Sequence, residues 1–164
     1  MSFDTSIHIN ITECVSKKAG GEQLDGVNMQ SDNGTLSFLD ILQNVYAKSK
    51  SEIETREAIE RGAVELMAVV VMNDMQASLL KEAREVAKVK ANNGMLSVYY
   101  DRESFIDFIK RCQVDYNGEE YQIPDVEKLC NKLLECVYKS AEKIGIECNC
   151  VRRGCYCFRA CIKP

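Results

Sequence analysis

Apolar residues recur at helical spacing through the middle of the chain. Ser37 followed three residues later by Asp40 has the spacing of a capping box, in which both side chains meet free backbone N–H groups at the start of a helix. The first helix is therefore predicted to begin at Ser37 and to end near residues 48–51. Its apolar positions are Leu39, Leu42, Val45 and Tyr46.

A second and much longer helix is predicted from about residue 52 to about residue 91, with no proline inside it. At about 1.5 Å per residue it would span about 60 Å, which is longer than a small domain is wide. Asn73 lies in its apolar seam, where a buried amide can fix register, or where the side chain turns to the edge of the face. The seam consists of Ile59, Ala63, Leu66, Val70, Asn73, Ala77, Leu80 and Ala87.

The last predicted helix begins at Asp125, a suitable N-cap, and ends at Gly145. Its apolar face makes it the natural partner of the long helix. A short helix around Phe105 and a hairpin with Asn117–Gly118 at its turn lie between the two. The predicted fold is therefore mainly α, a long antiparallel helical hairpin or coiled coil with a short helix and a small β-hairpin inserted. The face of the last helix consists of Val126, Cys130, Leu133, Val137 and Ile144.

Three segments are predicted. Residues 1–35 form an N-terminal segment that is either flexible or a short strand plus loop, because Ile7, Ile9 and Ile11 alternate with polar residues before a glycine-rich stretch. Residues 36–146 form the helical domain, and residues 147–164 form a basic, cysteine-rich tail.

Composition and charge limit the possible classes of function. The 164 residues carry a net charge of −4, so nothing overall attracts nucleic acid, and no apolar run approaches the ~18 residues of a membrane span. The start of the chain has no basic segment followed by an apolar one, so no cleavable signal peptide is predicted. His8 is the single histidine and no glycine-rich phosphate loop is present, so no catalytic residue, cofactor or metal site is assigned and the protein is predicted not to be an enzyme.

The tail is the one cluster that suggests chemistry. Five of the nine cysteines, Cys148, Cys150, Cys155, Cys157 and Cys161, fall in the last 17 residues. They supply enough thiolates for zinc, although each pair has one residue between its cysteines, which is closer than in zinc knuckles. A disordered tail, a thiol-rich patch and a non-native end remain as alternatives.

The order of elements resembles a known family. A Met- and Ala-rich long helix (residues 66–77), a short helix (residues 104–110), a small hairpin (residues 115–118) and another amphipathic helix follow one another. This order is similar to that of the hydrophilic translocators of bacterial type III secretion, the EspA/SseB-like filament subunits and the needle-tip proteins. The resemblance implies two long helices that form a coiled coil and mediate polymerisation or tip assembly.

The predicted function is that of a non-enzymatic structural protein, resembling a type III translocator filament or tip subunit and acting by coiled-coil self-association. Its partners would be itself, and a secretion chaperone and pore-forming translocators, after secretion without a cleavable signal. The alternative is a small cytoplasmic helical binding or regulatory module, accessory, chaperone-like or phage-encoded, with or without a zinc-binding tail. The residues predicted to self-associate are Ile59, Leu66, Val70, Asn73, Ala77, Leu80, Val126, Cys130, Leu133, Val137 and Ile144.

Overall fold

The computed structural model describes residues 3, 5–12 and 37–163. The loop predicted within residues 17–35 lies outside these ranges. The elements in chain order are β1 (His8–Ile11), α1 (Phe38–Ala83), α2 (Val86–Ala91), β2 (Met95–Asp101), α3 (Arg102–Arg111), β3 (Gln113–Tyr116), β4 (Glu119–Tyr121), α4 (Val126–Lys143), β5 (Glu147–Arg152) and β6 (Cys155–Cys161).

The first predicted helix and most of the second are one element. α1 runs for 46 residues, about 69 Å, without the break expected near residues 48–51. The capping box at its start is confirmed, since the Ser37 hydroxyl accepts a bond from the Asp40 amide at 3.2 Å and the Asp40 carboxylate accepts one from the Ser37 amide at 3.0 Å. α1 ends at Ala83, and residues 86–91 form the separate helix α2.

Several local signals are confirmed at the residues that carry them. Asn117 and Gly118 have φ values of 51° and 84°, which is the backbone of a type I′ hairpin turn between β3 and β4. Asp125 caps α4 by accepting a bond from the Lys128 amide at 2.9 Å. Gly145 has a φ of 78°, which only glycine adopts without strain, and it ends α4.

Two three-stranded sheets pack against the helices. The first has the order β1-β3-β4, with β1 parallel to β3, and the alternation predicted for the N-terminal strand buries Ile9 and Ile11. The second has the order β2-β6-β5 and is antiparallel throughout. Its inner face is covered, with Leu96, Val98 and Tyr100 buried.

The cysteine-rich segment forms the hairpin β5–β6, and β6 is the central strand of the second sheet. Phe158 of β6 is fully buried and lies edge-on to Tyr100, with ring centroids 5.8 Å apart. Phe3 stacks on Tyr100 at 4.9 Å and contacts Phe105, so one aromatic cluster joins the N-terminal segment, β2, α3 and β6. The segment therefore joins the core through β6, in which Cys157 and Phe158 are buried.

The predicted fold class is wrong. Of the residues that the structure describes, 59% are helical and 23% are in strands, and the molecule is not a long helical hairpin. α4 spans 18 residues, about 27 Å, and can cover less than half the length of α1. The chain turns at Gly145 into β5 instead of continuing as a second long helix. The residues that would extend that helix pair as strands instead, β5 with β6 and β6 with β2.

We expect Phe158→Ala to lower the free energy of unfolding by about 3–5 kcal/mol, because it removes a fully buried ring from the core. Urea unfolding followed by circular dichroism measures this change. Val151→Ala in the neighbouring strand β5 is the control, since Val151 is exposed and its loss should cost less than about 1 kcal/mol. Equal unfolding midpoints for the two variants would contradict the packing of β6.

Candidate functional site

The first part of α1 is an exposed apolar helix. Every residue from 38 to 54 is exposed, and we call residues 38–57, about 30 Å of helix, the arm. The rest of the described chain, residues 58–163 with β1, is called the body. Seven large apolar side chains of the arm are 46–71% exposed and form the arm stripe: Phe38, Leu39, Ile41, Leu42, Val45, Tyr46 and Ile53.

The arm stripe continues the face of α1 that the body covers. At 3.6 residues per turn, Glu60 lies five full turns after Leu42 and two turns after Ile53, on the same side of the helix. Ala63 and Val64 flank this line and are buried, and Ile59 is buried beside them. The same helix face is thus core beyond residue 58 and exposed before it.

A buried polar cluster marks the point where the body begins to cover this face. Glu60 is a 7% exposed residue, and its carboxylate accepts bonds from the ammonium of Lys132 on α4 at 3.1 Å and from the hydroxyl of Tyr121 on β4 at 3.3 Å. Burial and the neighbouring Glu60 charge raise the pKa of Tyr121 to about 12, so its hydroxyl stays a donor at neutral pH. These contacts show that α4 and β4 lie on the side of α1 toward which the arm stripe faces.

The remaining faces of the arm are polar and nearly neutral. The arm contains four acidic residues and three basic residues, a net charge of −1. Lys50 and Glu54 form an exposed pair 3.9 Å apart, and Ala47 lies on the face opposite the stripe. The arm is therefore an amphipathic helix without the excess of basic residues typical of helices that bind anionic membranes.

The eleven residues predicted to self-associate do not share one surface. Four are buried inside the body, at Ile59, Cys130, Leu133 and Val137. Val70 and Val126 are half-buried against the core. The exposed members are Leu66, Asn73, Ala77, Leu80 and Ile144.

The sequence pattern predicts the apolar positions of the arm stripe, but it does not predict that they are exposed. Leu39, Leu42, Val45 and Tyr46 have helical spacing, which predicts them as the apolar positions of the first helix in the helical domain. The signal that could have found the site is the excess of helix, because α1 is far longer than α4, the helix that packs along it.

The tail cysteines are divided between the two faces of the second sheet. Cys148 pairs with Phe158, and Asn149 pairs with Cys157, so Cys148 and Cys157 lie on opposite faces. Cys157 is buried and its sulfur accepts a bond from the Arg159 guanidinium at 3.3 Å. Among the described residues, no three His, Cys, Asp or Glu side chains are grouped as metal ligands would be.

A cleft of about 480 Å³ between α1 and α4 is lined by both charge types, including Arg61, Glu57 and Glu135. Lys132, also in its wall, is already paired with Glu60, and Lys139 with Glu135 at 2.7 Å. Such alternating, mutually paired charges are typical of a solvated seam between helices. The cleft therefore offers no poised acid–base pair within the described residues.

α1 also includes an 18-residue window that is long and apolar enough to cross a membrane, and 44% of that window is buried inside the body. Core helices commonly meet the same criterion, so this window is weak support for a membrane-spanning role.

Comparison of the chain with protein-family models, curated proteins and solved structures found no significant match. The functional argument therefore rests on the chain's own residues and their geometry.

We expect two thiols to dominate the fast phase of labelling by an aromatic disulfide reagent at pH 8, those of the exposed Cys150 and Cys161. Cys130 and Cys157 are buried and should react only after unfolding, and burial raises the pKa of the Cys148 thiol to about 11, which lowers its thiolate fraction. The measurement uses a Cys14→Ser background, because Cys14 lies outside the described residues. Cys150→Ser should remove one thiol from the fast phase and Cys157→Ser none; the opposite result would contradict the β5–β6 pairing.

Proposed function

We propose that the protein is a non-enzymatic assembly protein that associates with further copies of itself through the arm stripe. The observation that carries this proposal is the exposure of seven large apolar side chains on one face of a projecting helix. Removing apolar surface from water is the main driving force of protein association. Contiguous exposed apolar patches on proteins commonly mark interaction sites.

A second copy is the occupant that the stripe fits best. The stripe repeats apolar positions at spacings of three and four residues, which is the pattern that packs against an identical helix. The face is already used as a helix-packing surface further along α1, where it contacts α4. An intermolecular helix would extend the same mode of packing along the arm.

Two other occupants have less support. Residues 13–36 of this chain contain four glycines and mostly polar residues, a composition that provides few side chains to cover the stripe. A lipid surface would be expected to meet a basic polar face, and the arm carries a net charge of −1.

Self-association is also what the resemblance to hydrophilic translocators implies. Secretion by a type III apparatus, and partnership with a chaperone or pore-forming translocators, stay predictions that the comparisons do not test. The pair of long antiparallel helices that the resemblance implies is absent from the described residues, so the proposal rests on the arm rather than on the family.

We expect the protein to be larger than its monomer mass of 18.5 kDa at tens of micromolar, and the variant Leu42→Glu/Val45→Glu to be monomeric. Association would bury the two introduced charges in the interface. The free energy needed to desolvate them exceeds the free energy gained by burying the remaining apolar side chains. Light scattering coupled to size exclusion, under reducing conditions, measures the mass.

Ala47→Glu is the control, because it introduces a glutamate in the same helical segment on the face opposite the stripe. It should leave the mass of the wild-type assembly unchanged. A monomeric wild type would refute the proposal, and equal effects of Ala47→Glu and Leu42→Glu/Val45→Glu would show that the stripe is not the interface. Mass unchanged by every variant would place self-association elsewhere on the molecule.

A further inference from the structure

Resting on the proposed self-association, we infer that two arms pair antiparallel, in a closed two-fold dimer with the two bodies at opposite ends. The inference follows from where the body lies relative to the stripe and from the register that the free length of the arm allows.

The position of the body excludes a parallel pair. Glu60 is in line with Leu42 on the stripe side of α1, and it is covered there by Lys132 and Tyr121. The body thus protrudes in the direction that the stripe faces. In a parallel pair both bodies would begin at the same level and face each other, so they would occupy the same space. Of the described residues, each body in an antiparallel pair meets the tip of the other arm.

The free length of the arm then fixes the register. The helix begins at Phe38, and coverage by the body is established at Ile59, so full overlap of the two arms (residues 38–57) places residue 38 of one copy beside residue 57 of the other. In a two-fold antiparallel pair, the residue numbers of any two residues that face each other add up to the same value. The overlap of residue 38 with residue 57 sets this sum to 95. Leu42 then faces Ile53 of the second copy, and Tyr46 faces Ser49.

This register agrees with the heptad pattern of the arm. The central positions at alternating spacings of three and four residues are Leu39, Leu42, Tyr46, Ser49, Ile53 and Arg56. A sum of 95 pairs these six positions only with one another: 39 with 56, 42 with 53, and 46 with 49. The spacing alone allows sums seven apart, such as 88, 95 and 102, and 95 is the sum that pairs all six positions. The length of the uncovered helix selects that same register.

A pairing of this kind uses the same patch on both copies and closes on itself. Such an isologous contact yields a dimer and leaves no free stripe from which a filament can grow. The dimer would be a rod about 110 Å long, from two helices of about 69 Å that overlap over about 30 Å.

The deciding experiment compares dimer dissociation constants of Leu42→Glu, Ile53→Lys and the double variant by analytical ultracentrifugation under reducing conditions. In the antiparallel dimer the two introduced charges have opposite sign and face each other at both ends of the overlap. We expect each single variant to weaken the dimer by at least about 30-fold and the double variant to return to within about 10-fold of wild type. Leu42→Glu combined with Ala47→Lys is the control, because residue 47 faces away from the interface and should not restore the dimer.

In a parallel dimer residue 42 would face 42 and residue 53 would face 53. The double variant would then weaken association more than either single change, and that result overturns the inference while leaving self-association intact. A wild-type monomer would instead refute the proposed function itself. Small-angle scattering of the wild type gives a second readout, since a maximum dimension near about 110 Å supports the antiparallel rod and one near about 70 Å contradicts it.

Discussion

The structure depends on one apolar face of α1. Over residues 59–79 this face packs against β1, β2 and α4 and holds the body together, and over residues 38–53 the same face meets solvent. A helix of 46 residues is much longer than the surface that one small domain can offer it. The excess length leaves an apolar helix face exposed over residues 38–53, and the proposed self-association rests on that face.

The cluster at Glu60 is the boundary between the two uses of the face. A buried carboxylate needs partners, and Lys132 and Tyr121 supply them from α4 and β4. The same contacts place the body on the stripe side of the helix, which restricts how a second copy can approach. The buried hydrogen bonds of Glu60 thus help to define the geometry that we propose for the dimer.

The sequence predicts the apolar helix face of the candidate site but not its exposure to solvent. The spacing of Leu42, Val45 and Tyr46 identifies an apolar helix face, but spacing does not state what covers that face. Similarly, the cysteines of the last segment suggested zinc, whereas Tyr156, Phe158 and Ala160 alternate with Cys157 and Arg159 at the two-residue period of a strand. That alternation becomes informative only once β2 is known to be its neighbour.

Local chemistry in the sequence determined the ends and turns of the elements. The Ser37–Asp40 capping box, the Asn117–Gly118 turn and the stop at Gly145 each depend on residues within a few positions of one another. Tertiary structure alone decided that β1 pairs with β3 across about 100 residues, that β6 enters the sheet between β2 and β5, and which part of α1 is left uncovered. These outcomes depend on contacts between segments that are distant in the sequence and can cover the same apolar surface. The pattern of apolar residues along the chain does not specify which of these segments covers it.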